Sequence, residues 1–500
     1  MVSLNKDDFM KPEVLALSHI TADHSVVYIL GNEKIPDSVS LTKSEKEYAR
    51  KQLSLKVEYV YINSYFKCTY LVRLKDDLPE YKQKEELRKT ASNLRKLIRS
   101  NNHDELVITS EKSFNGAVEA FAEGLLLSSY SFHRYKTIAD KSDKTHYPEK
   151  LLLHGNLKDK DIRWLVETAK AVFLTRDLIN DPPNHLNATS LAKEISHMGK
   201  EAGFSVEVLT KGKIEALKMG GLLAVNRGSI DPPVFCILEW NPPDKVNKKP
   251  VVLVGKGIIY DTGGLNIKTG DFMAQMKADM AGGATVAGVF YALAKNSVPI
   301  HVVGLIPATD NRPGENAYTQ GDILTMYNKT TVEINNTDAE GRLILADAIS
   351  YADHFSPEII IDIATLTGSA AMTFSNKAIA VMGNADRKYF SLLEEAGQEV
   401  YERTAELPFW EEYGESLKSD IADIKNVGGR EAGAITAGKF LETFALSPMI
   451  HLDIAGTGLL KKDDYYRIKE GPGSGLRLLV TFLKKLSLTY PIKKTSKHGK

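Results

Sequence analysis

The chain is poor in cysteine. Cys68 and Cys236 are the only two in 500 residues and belong to no CxxC pattern. This argues against a disulfide framework, and the expected compartment is a reducing one, the cytoplasm. Charge of one sign is also lacking, because Lys+Arg and Asp+Glu both number 64. No net field draws the chain to nucleic acid or to an anionic membrane. No apolar run approaches the ~18 residues of a membrane helix. The opening MVSLNKDDFMKPEV holds no apolar stretch of the secretory kind. There is no internal repeat. What the chain does have is size and 43% hydrophobic residues, enough for large cores in more than one domain.

The pattern predicts α/β architecture in two domains. SVVYIL (25–30), residues 57–62, TYLVRL (69–74) and ELVITS (105–110) read as strands. KQKEELRKTASNLRKLIRS and FNGAVEAFAEGLLLSSYSF read as helices around them. A smaller N-terminal α/β domain is expected over 1–150, ending in the polar segment ADKSDKTHYPEK. A linking helix follows over 151–180, stopped by NDPPN because proline cannot continue it. Over 181–486, VEVL, PVFCILEW, PVVLVGKG, IHVVGLIPA, TVEI, EIIIDIATL, AIAVMG and MIHLDIAG are short, apolar and rich in β-branched residues. Continuous apolar runs suit strands buried on both faces, so this larger domain is expected to hold a mainly parallel sheet covered by helices. The basic stretch 487–500 reads as a disordered tail.

In such a sheet, ligands gather beyond the carboxyl ends of the strands, and that is where charge interrupts the apolar runs. NNTDAEGRL (335–343) packs Asp338, Glu340 and Arg342 into a strand-to-helix turn. VVLVGKGIIYDTGGLNIK (251–268) carries Lys256, Asp261 and Lys268. MAQMKADMAGGATVAGVFYAL reads as a helix rich in small residues, with Asp279 in its first half. Taken singly, Lys256 is explained as a lysine snorkelling from a strand end, and Asp279 as an acid on a polar face. Taken together, four carboxylates converge with no histidine among these segments. They would repel one another unless some stay protonated or cations neutralise them. Two divalent ions would, with one carboxylate bridging them. Lysine joins such a set only as the neutral amine.

These same motifs carry a resemblance. NTDAEGRL, VGKGIIYDTGG and MKADMAGGA resemble the leucine (cytosol) aminopeptidase family. So do RDLINDPPN, KMGGLLAV, DIATLTGSA, SDIADIKNVGGREAGAITAGKFL and HLDIAGTG. The order of segments agrees from about 170 to 485. The N-terminal third resembles the family only at EGLLLSSYSFHRYK, and DNRPGENA, TQGD and GPGSGLRLL depart from its pattern.

The resemblance implies a metallo-aminopeptidase that removes leucine-like residues from the free N-terminus of peptides. A water or hydroxide bridging two divalent ions, Mn²⁺ or Zn²⁺, would attack. It implies Asp261, Asp338 (with its backbone carbonyl) and Glu340 as ligands of one ion, and Lys256, Asp261, Asp279 and Glu340 as ligands of the other. Lys268 and Arg342 match catalytic positions, with bicarbonate held by Arg342. Met276, Asn336, Ala339, Thr365 and Gly368 match the substrate cleft, where Lys268 also touches the substrate. The Leu366 N–H would meet the developing oxyanion, and Ala455 would complete the pocket. A homohexamer is implied as well. Two other readings stay open: a two-metal phosphoesterase, and a secondary DNA-binding role. His451 and Asp453 form an HxD pair on one strand face, expected to be structural, and Trp164 is expected in a core or interface.

Overall fold

The computed structural model describes residues 12–31, 34–111, 116–137 and 147–491. The extreme N-terminus, most of the polar segment before 150 and the last nine residues of the basic tail lie outside the described residues. Two compact units divide the chain. One holds 1–173 and 463–468, and the other holds 174–462 and 469–500.

The first unit is a six-stranded sheet with helices. Its strands are β1 (Glu13–Leu17), β2 (Ser25–Leu30), β3 (Tyr59–Asn63), β4 (Cys68–Arg73), β5 (Glu105–Ser110) and β6 (Lys150–His154), in the order β1-β6-β5-β2-β4-β3. All pairs are parallel except β3–β4. The helices are α1 (Lys43–Ser54), α2 (Glu80–Ser100) and α3 (Ala117–Ser129). Thr42 caps α1 in a capping box with Glu45, satisfying donors the first turn leaves free. β6 begins at the expected boundary of 150 and pairs with β1 and β5, so this sheet runs past that boundary. The next helix, α4 (Asp159–Asn180), spans the division between the units.

The second unit holds helices α5 (Ala188–Ala202), α6 (Lys211–Ala216), α7 (Gly220–Asn226), α8 (Ala281–Lys295), α9 (Glu340–Ala352), α10 (Gly368–Phe374), α11 (Arg387–Val400), α12 (Gly433–Glu442) and α13 (Leu476–Thr489). Its strands are β7 (Ser205–Leu209), β8 (Val234–Trp240), β9 (Val251–Gly255), β10 (Gly257–Asp261), β11 (Val302–Asn311), β12 (Ile323–Thr325), β13 (Thr331–Glu333), β14 (Ile359–Ala364), β15 (Ile379–Gly383), β16 (Thr404–Glu406), β17 (Ile424–Lys425) and β18 (Met449–Asp453). The main sheet runs β16-β15-β18-β14-β9-β11-β8-β7, with β10 also on β11. The central pairs β18–β14, β14–β9 and β9–β11 are parallel. Strands β9, β11, β14 and β18 are buried along their whole length, which is why their sequences are nearly unbroken apolar runs.

Four expectations are corrected: the linking helix begins at Asp159 rather than 151, because Lys150–His154 pairs as β6, and residues 487–489 at the start of the expected tail continue α13. TVEI joins no main-sheet strand. Its residues 331–333 form β13 in a separate three-stranded sheet with β12 and β17. A three-residue strand carries too little pattern to specify its partner. Asp279 does not lie within a helix. A 3₁₀ helix over Gly270–Ala278 ends at it, with the Asp279 N–H donating to the Met276 carbonyl, and α8 begins only at Ala281. The 3₁₀ turn keeps Asp279 outside the α-helical ladder and leaves its carboxylate facing the end of the sheet.

Candidate metal centre

The site grows from a break in one strand. β9 and β10 both pair in parallel with β11, but the run is interrupted at Lys256. There the backbone turns aside: the Lys256 N–H donates to Ile363 O at 3.2 Å, and Lys256 O accepts from the Gly283 N–H at 2.8 Å. This approach requires glycine on α8. A Cβ on Gly282 would lie 2.0 Å from Ile363 O and 2.9 Å from Lys256 N. The lysine side chain then crosses α9 beside Gly341, where a Cβ would stand 2.3 Å from its Cε. A continuous strand flanked by ordinary residues would leave no room for this lysine.

Lys256 Nζ reaches Asp279 Oδ2 at 2.7 Å, Glu340 Oε1 at 2.9 Å and the Thr365 carbonyl at 3.1 Å. Lys268 Nζ reaches Asp261 Oδ2 at 2.8 Å and Asp338 Oδ1 at 2.5 Å. Carboxylate oxygens of Asp261, Asp338 and Glu340 lie within 4.8 Å of one another, the arrangement of a cation site. The five expected ligands and Lys268 are thus brought together. Asp261 ends β10, Glu340 opens α9 behind Ala339, and Thr365 follows β14.

Of the residues expected in the cleft, Thr365 and Asn336 contact members of this centre. Thr365 Oγ1 donates to Asp279 Oδ1 at 2.7 Å. Asn336 Oδ1 accepts the Asp338 N–H at 2.9 Å. Ala339 is buried, Met276 and Ala455 are half-buried, and Gly368 opens α10 in the open. The Leu366 N–H, expected to meet the developing oxyanion, donates to Asp453 Oδ1 at 3.2 Å. His451 is buried, with Nδ1 2.6 Å from Asp362 Oδ1.

Electrostatics show what the centre lacks. Four carboxylates face two ammonium groups, which leaves negative charge in excess. Burial disfavours charge on Lys256, but Asp279, Glu340 and Asp261 outweigh it and hold the ammonium above its ordinary value. Lys268 is raised in the same way by Asp261, Glu340 and Asp338. Burial, with Asp261 and Glu340 adding repulsion against the pull of Lys256, pushes Asp279 up to about 8. Burial and the repulsion of Glu340 and Asp261 push Asp338 up to about 7. Asp279 Oδ2 and Asp338 Oδ1 are buried without a properly directed hydrogen bond. Oxygen-rich, short of positive charge and partly unsatisfied, the set fits divalent cations.

Arg342 fits a small anion. Its Nη1 donates to Asn426 O at 2.7 Å, while its buried Nε has no hydrogen-bond partner. Burial lowers the guanidinium to about 10, against support from Glu340 and Asp453.

Several residues that organise the site were not singled out from sequence. Asn311, at the end of β11, donates from Nδ2 to Asp261 Oδ1 at 2.9 Å, Thr337 O at 3.1 Å and Glu340 Oε2 at 3.2 Å. Asn426 Oδ1 accepts from the N–H groups of Asn335 and Asn336, and its carbonyl holds Arg342. The available signal was the polar TDN closing the apolar strand β11.

Known proteins are similar to this chain. The model of the cytosol aminopeptidase family, catalytic domain, matches residues 173–480. The chain belongs to the cytosol aminopeptidase family. It is therefore an aminopeptidase, a hydrolase of a metal-dependent family. A probable cytosol aminopeptidase of Chlorobium limicola is 43% identical over 392 residues, covering 76% of this chain and 77% of that protein. Another, from a Geobacter species, is 41% identical over 374 residues, covering 74% and 76%. Among solved structures, the bottromycin maturation enzyme BotP in complex with Mn superposes with a TM-score of 0.81 at 26% identity, covering 93% of this chain and all of that one. The family match spans the candidate metal centre, every residue of which lies between 173 and 480. Among the described residues, no helix of this aminopeptidase is long and apolar enough to cross a membrane.

Proposed function

We propose that this aminopeptidase removes leucine-like residues from peptide N-termini, with two divalent ions, Mn²⁺ or Zn²⁺, held by Lys256, Asp261, Asp279, Asp338 and Glu340. The observation that carries the reading is the convergence of four carboxylates on two lysines with a residual deficit of positive charge. The ions supply Lewis acidity that activates water and polarises the scissile carbonyl.

The chain's own groups do the rest. Hydrolysis places an oxygen of water on the carbonyl carbon, breaks the C–N bond and returns a proton to the departing nitrogen. Lys268 remains charged and faces the carbonyl oxygen, favouring negative charge as it develops. Lys256 would hold a cation only as the free amine, and the proton on it is one that Asp279, Glu340 and Asp261 favour. Asp279, fixed by Thr365 and Lys256, orients the substrate's α-amine. Arg342 holds bicarbonate as the proton carrier, because the guanidinium fork matches a planar oxyanion and its Nε is free. Met276, Asn336, Ala339, Thr365, Leu366, Gly368 and Ala455 line the cleft, and the apolar members suit a medium apolar side chain. A cytoplasmic setting agrees with two free, buried cysteines, and a homohexamer completes the proposal.

A panel of aminoacyl fluorogenic amides, run beside elemental analysis, tests this. Two ions per chain and fastest cleavage of leucyl or methionyl amides are expected. A preference for arginyl or acidic substrates would sink the apolar pocket, and sedimentation as a monomer would sink the hexamer.

A further inference from the structure

We propose that Asp453 is a positioning residue that ties together the two loops of the substrate cleft and so sets which N-terminal side chain is accepted. This rests on the reading above that 365–368 and Ala455 line the cleft.

Asp453 is the last residue of β18, in register with Ala364, the last residue of β14. Both parallel strands end at this level and each sends a loop onward. The Asp453 carboxylate, 1% exposed, joins the two. Its Oδ1 accepts the N–H of Leu366 from one loop at 3.2 Å and the N–H of Ala455 from the other at 3.0 Å. Its Oδ2 accepts the Thr367 hydroxyl at 2.7 Å. Thr367 Oγ1 in turn accepts the Ala370 N–H at 3.0 Å and starts α10. All three partners are donors, so the position calls for a group that accepts at both ends. Burial means no water can readily replace it.

The loop after β14 is therefore anchored twice. Its first residue, Thr365, is held at the metal centre through Asp279 Oδ1 and Lys256 Nζ. Its next two residues are held by Asp453. The second loop lies close against the first, since a Cβ on Gly458 would stand 3.0 Å from Thr365 Cγ2. Removing Asp453 frees the anchor on the pocket side and leaves the anchor on the metal side intact. The wall that meets the substrate's side chain then loses its fixed distance, while the cations keep every ligand. Asparagine is the conservative test. Its oxygen keeps both N–H bonds, while its amide nitrogen cannot accept the Thr367 hydroxyl and instead donates to Thr367 Oγ1, so two of the three ties survive unchanged.

Asp453→Ala, Asp453→Asn and Thr367→Val are compared with the wild type by elemental analysis and by KM and kcat on leucyl, methionyl and alanyl amides. The alanine variant is expected to keep two ions per chain, raise KM for the leucyl amide, and narrow the leucyl-to-alanyl ratio of kcat/KM by about tenfold. Asparagine is expected to restore that ratio to within about threefold of wild type. Thr367→Val, which removes the Oδ2 bond and the cap on the Ala370 N–H but keeps both N–H bonds to Oδ1, shifts the ratio in the same direction by less, and decides the matter if the alanine variant does not fold. A uniform loss on all three amides, an unmoved ratio in Thr367→Val, loss of metal, or an asparagine variant as impaired as alanine would each overturn the proposal. A wild-type enzyme inert on the whole panel would bring down the functional reading itself, whereas an active one with unmoved ratios brings down only the role of Asp453.

Discussion

Lys256 and Lys268 each bridge a pair of carboxylates, the first between Asp279 and Glu340 and the second between Asp261 and Asp338. Composition treats them alike, but their surroundings do not. Lys256 is 3% exposed, rises from a broken central strand and passes over Gly341. Its Nζ also donates to a backbone carbonyl, so it is fixed from every side. Lys268 is 16% exposed, on the loop after β10, and Asp338 beside it is 31% exposed. One half of the centre is sealed and the other opens outward. A sealed lysine suits permanent duty as a ligand, and an open one suits contact with a substrate that comes and goes.

The sharpest break comes from removing a carboxylate shared with the open half. Asp338→Asn keeps size and deletes charge. It is expected to lose one metal and most activity, by more than the ~10²–10³-fold typical of a lost oxyanion donor, with the fold kept. Near-normal turnover with two ions bound would refute its place in the centre.

Separating the lysines comes next. Lys268→Ala should keep both ions and lose ~10²–10³-fold in kcat, because its contact strengthens as the oxyanion forms. Lys256→Ala should lower metal occupancy, and excess metal should recover part of the activity. Elemental analysis beside kinetics on leucinamide decides, and the opposite pattern would mean the sealed and open roles are exchanged.

A smaller effect is expected at Asn311, which touches a carboxylate of each half. Asn311→Ala removes no proposed ligand but frees Asp261 and Glu340 to turn. Loss of such a supporting bond typically costs ~10–100-fold in metal affinity or activity. Metal titration monitored by activity would show it, and an unchanged titration curve would reduce Asn311 to packing.

The sequence made the charged half of this site legible and the neutral half obscure. Lys256, Asp261, Asp338 and Glu340 stand out because they interrupt apolar runs, where an unpaired charge demands a partner. Asn311 and Asn426 do not, because amides at strand ends look like ordinary loop residues, and Asp453 stands out only as half of an HxD pair. Their partners are remote: Asn311 reaches back to Asp261, Asn426 to Arg342, and Asp453 to Leu366. The fold divides similarly. Fully buried strands such as β9 and β14 announce themselves, whereas β1, β6 and the three-stranded sheet depend on pairings that no local pattern encodes. The sequence pattern places Asp279 inside a helix because small residues continue past it. The 3₁₀ turn that moves it out of that helix is set by contacts at the end of the sheet.

The smallest expected effect is a pH dependence that distinguishes the centre stripped of metal from the centre loaded with it. Without cations, burial and like charge raise Asp279 to about 8 and Asp338 to about 7, against about 3.9 in an unfolded chain. The folded state then binds more protons than the unfolded one across the interval between. Stability from this source is complete below about pH 4 and is lost as pH climbs through 7 and then 8. Asp338 contributes less than Asp279, since its exposure screens it. The raised lysines lose their protons only well above this window and leave the slope unchanged. Bound cations replace the protons and remove the dependence. The melting temperature of chelator-treated protein should therefore fall relative to reloaded protein between about pH 6 and 9, widening the gap as pH rises. Thermal scans of both forms across that range measure it, and a gap that narrows with rising pH would show that the four carboxylates are not the groups in deficit.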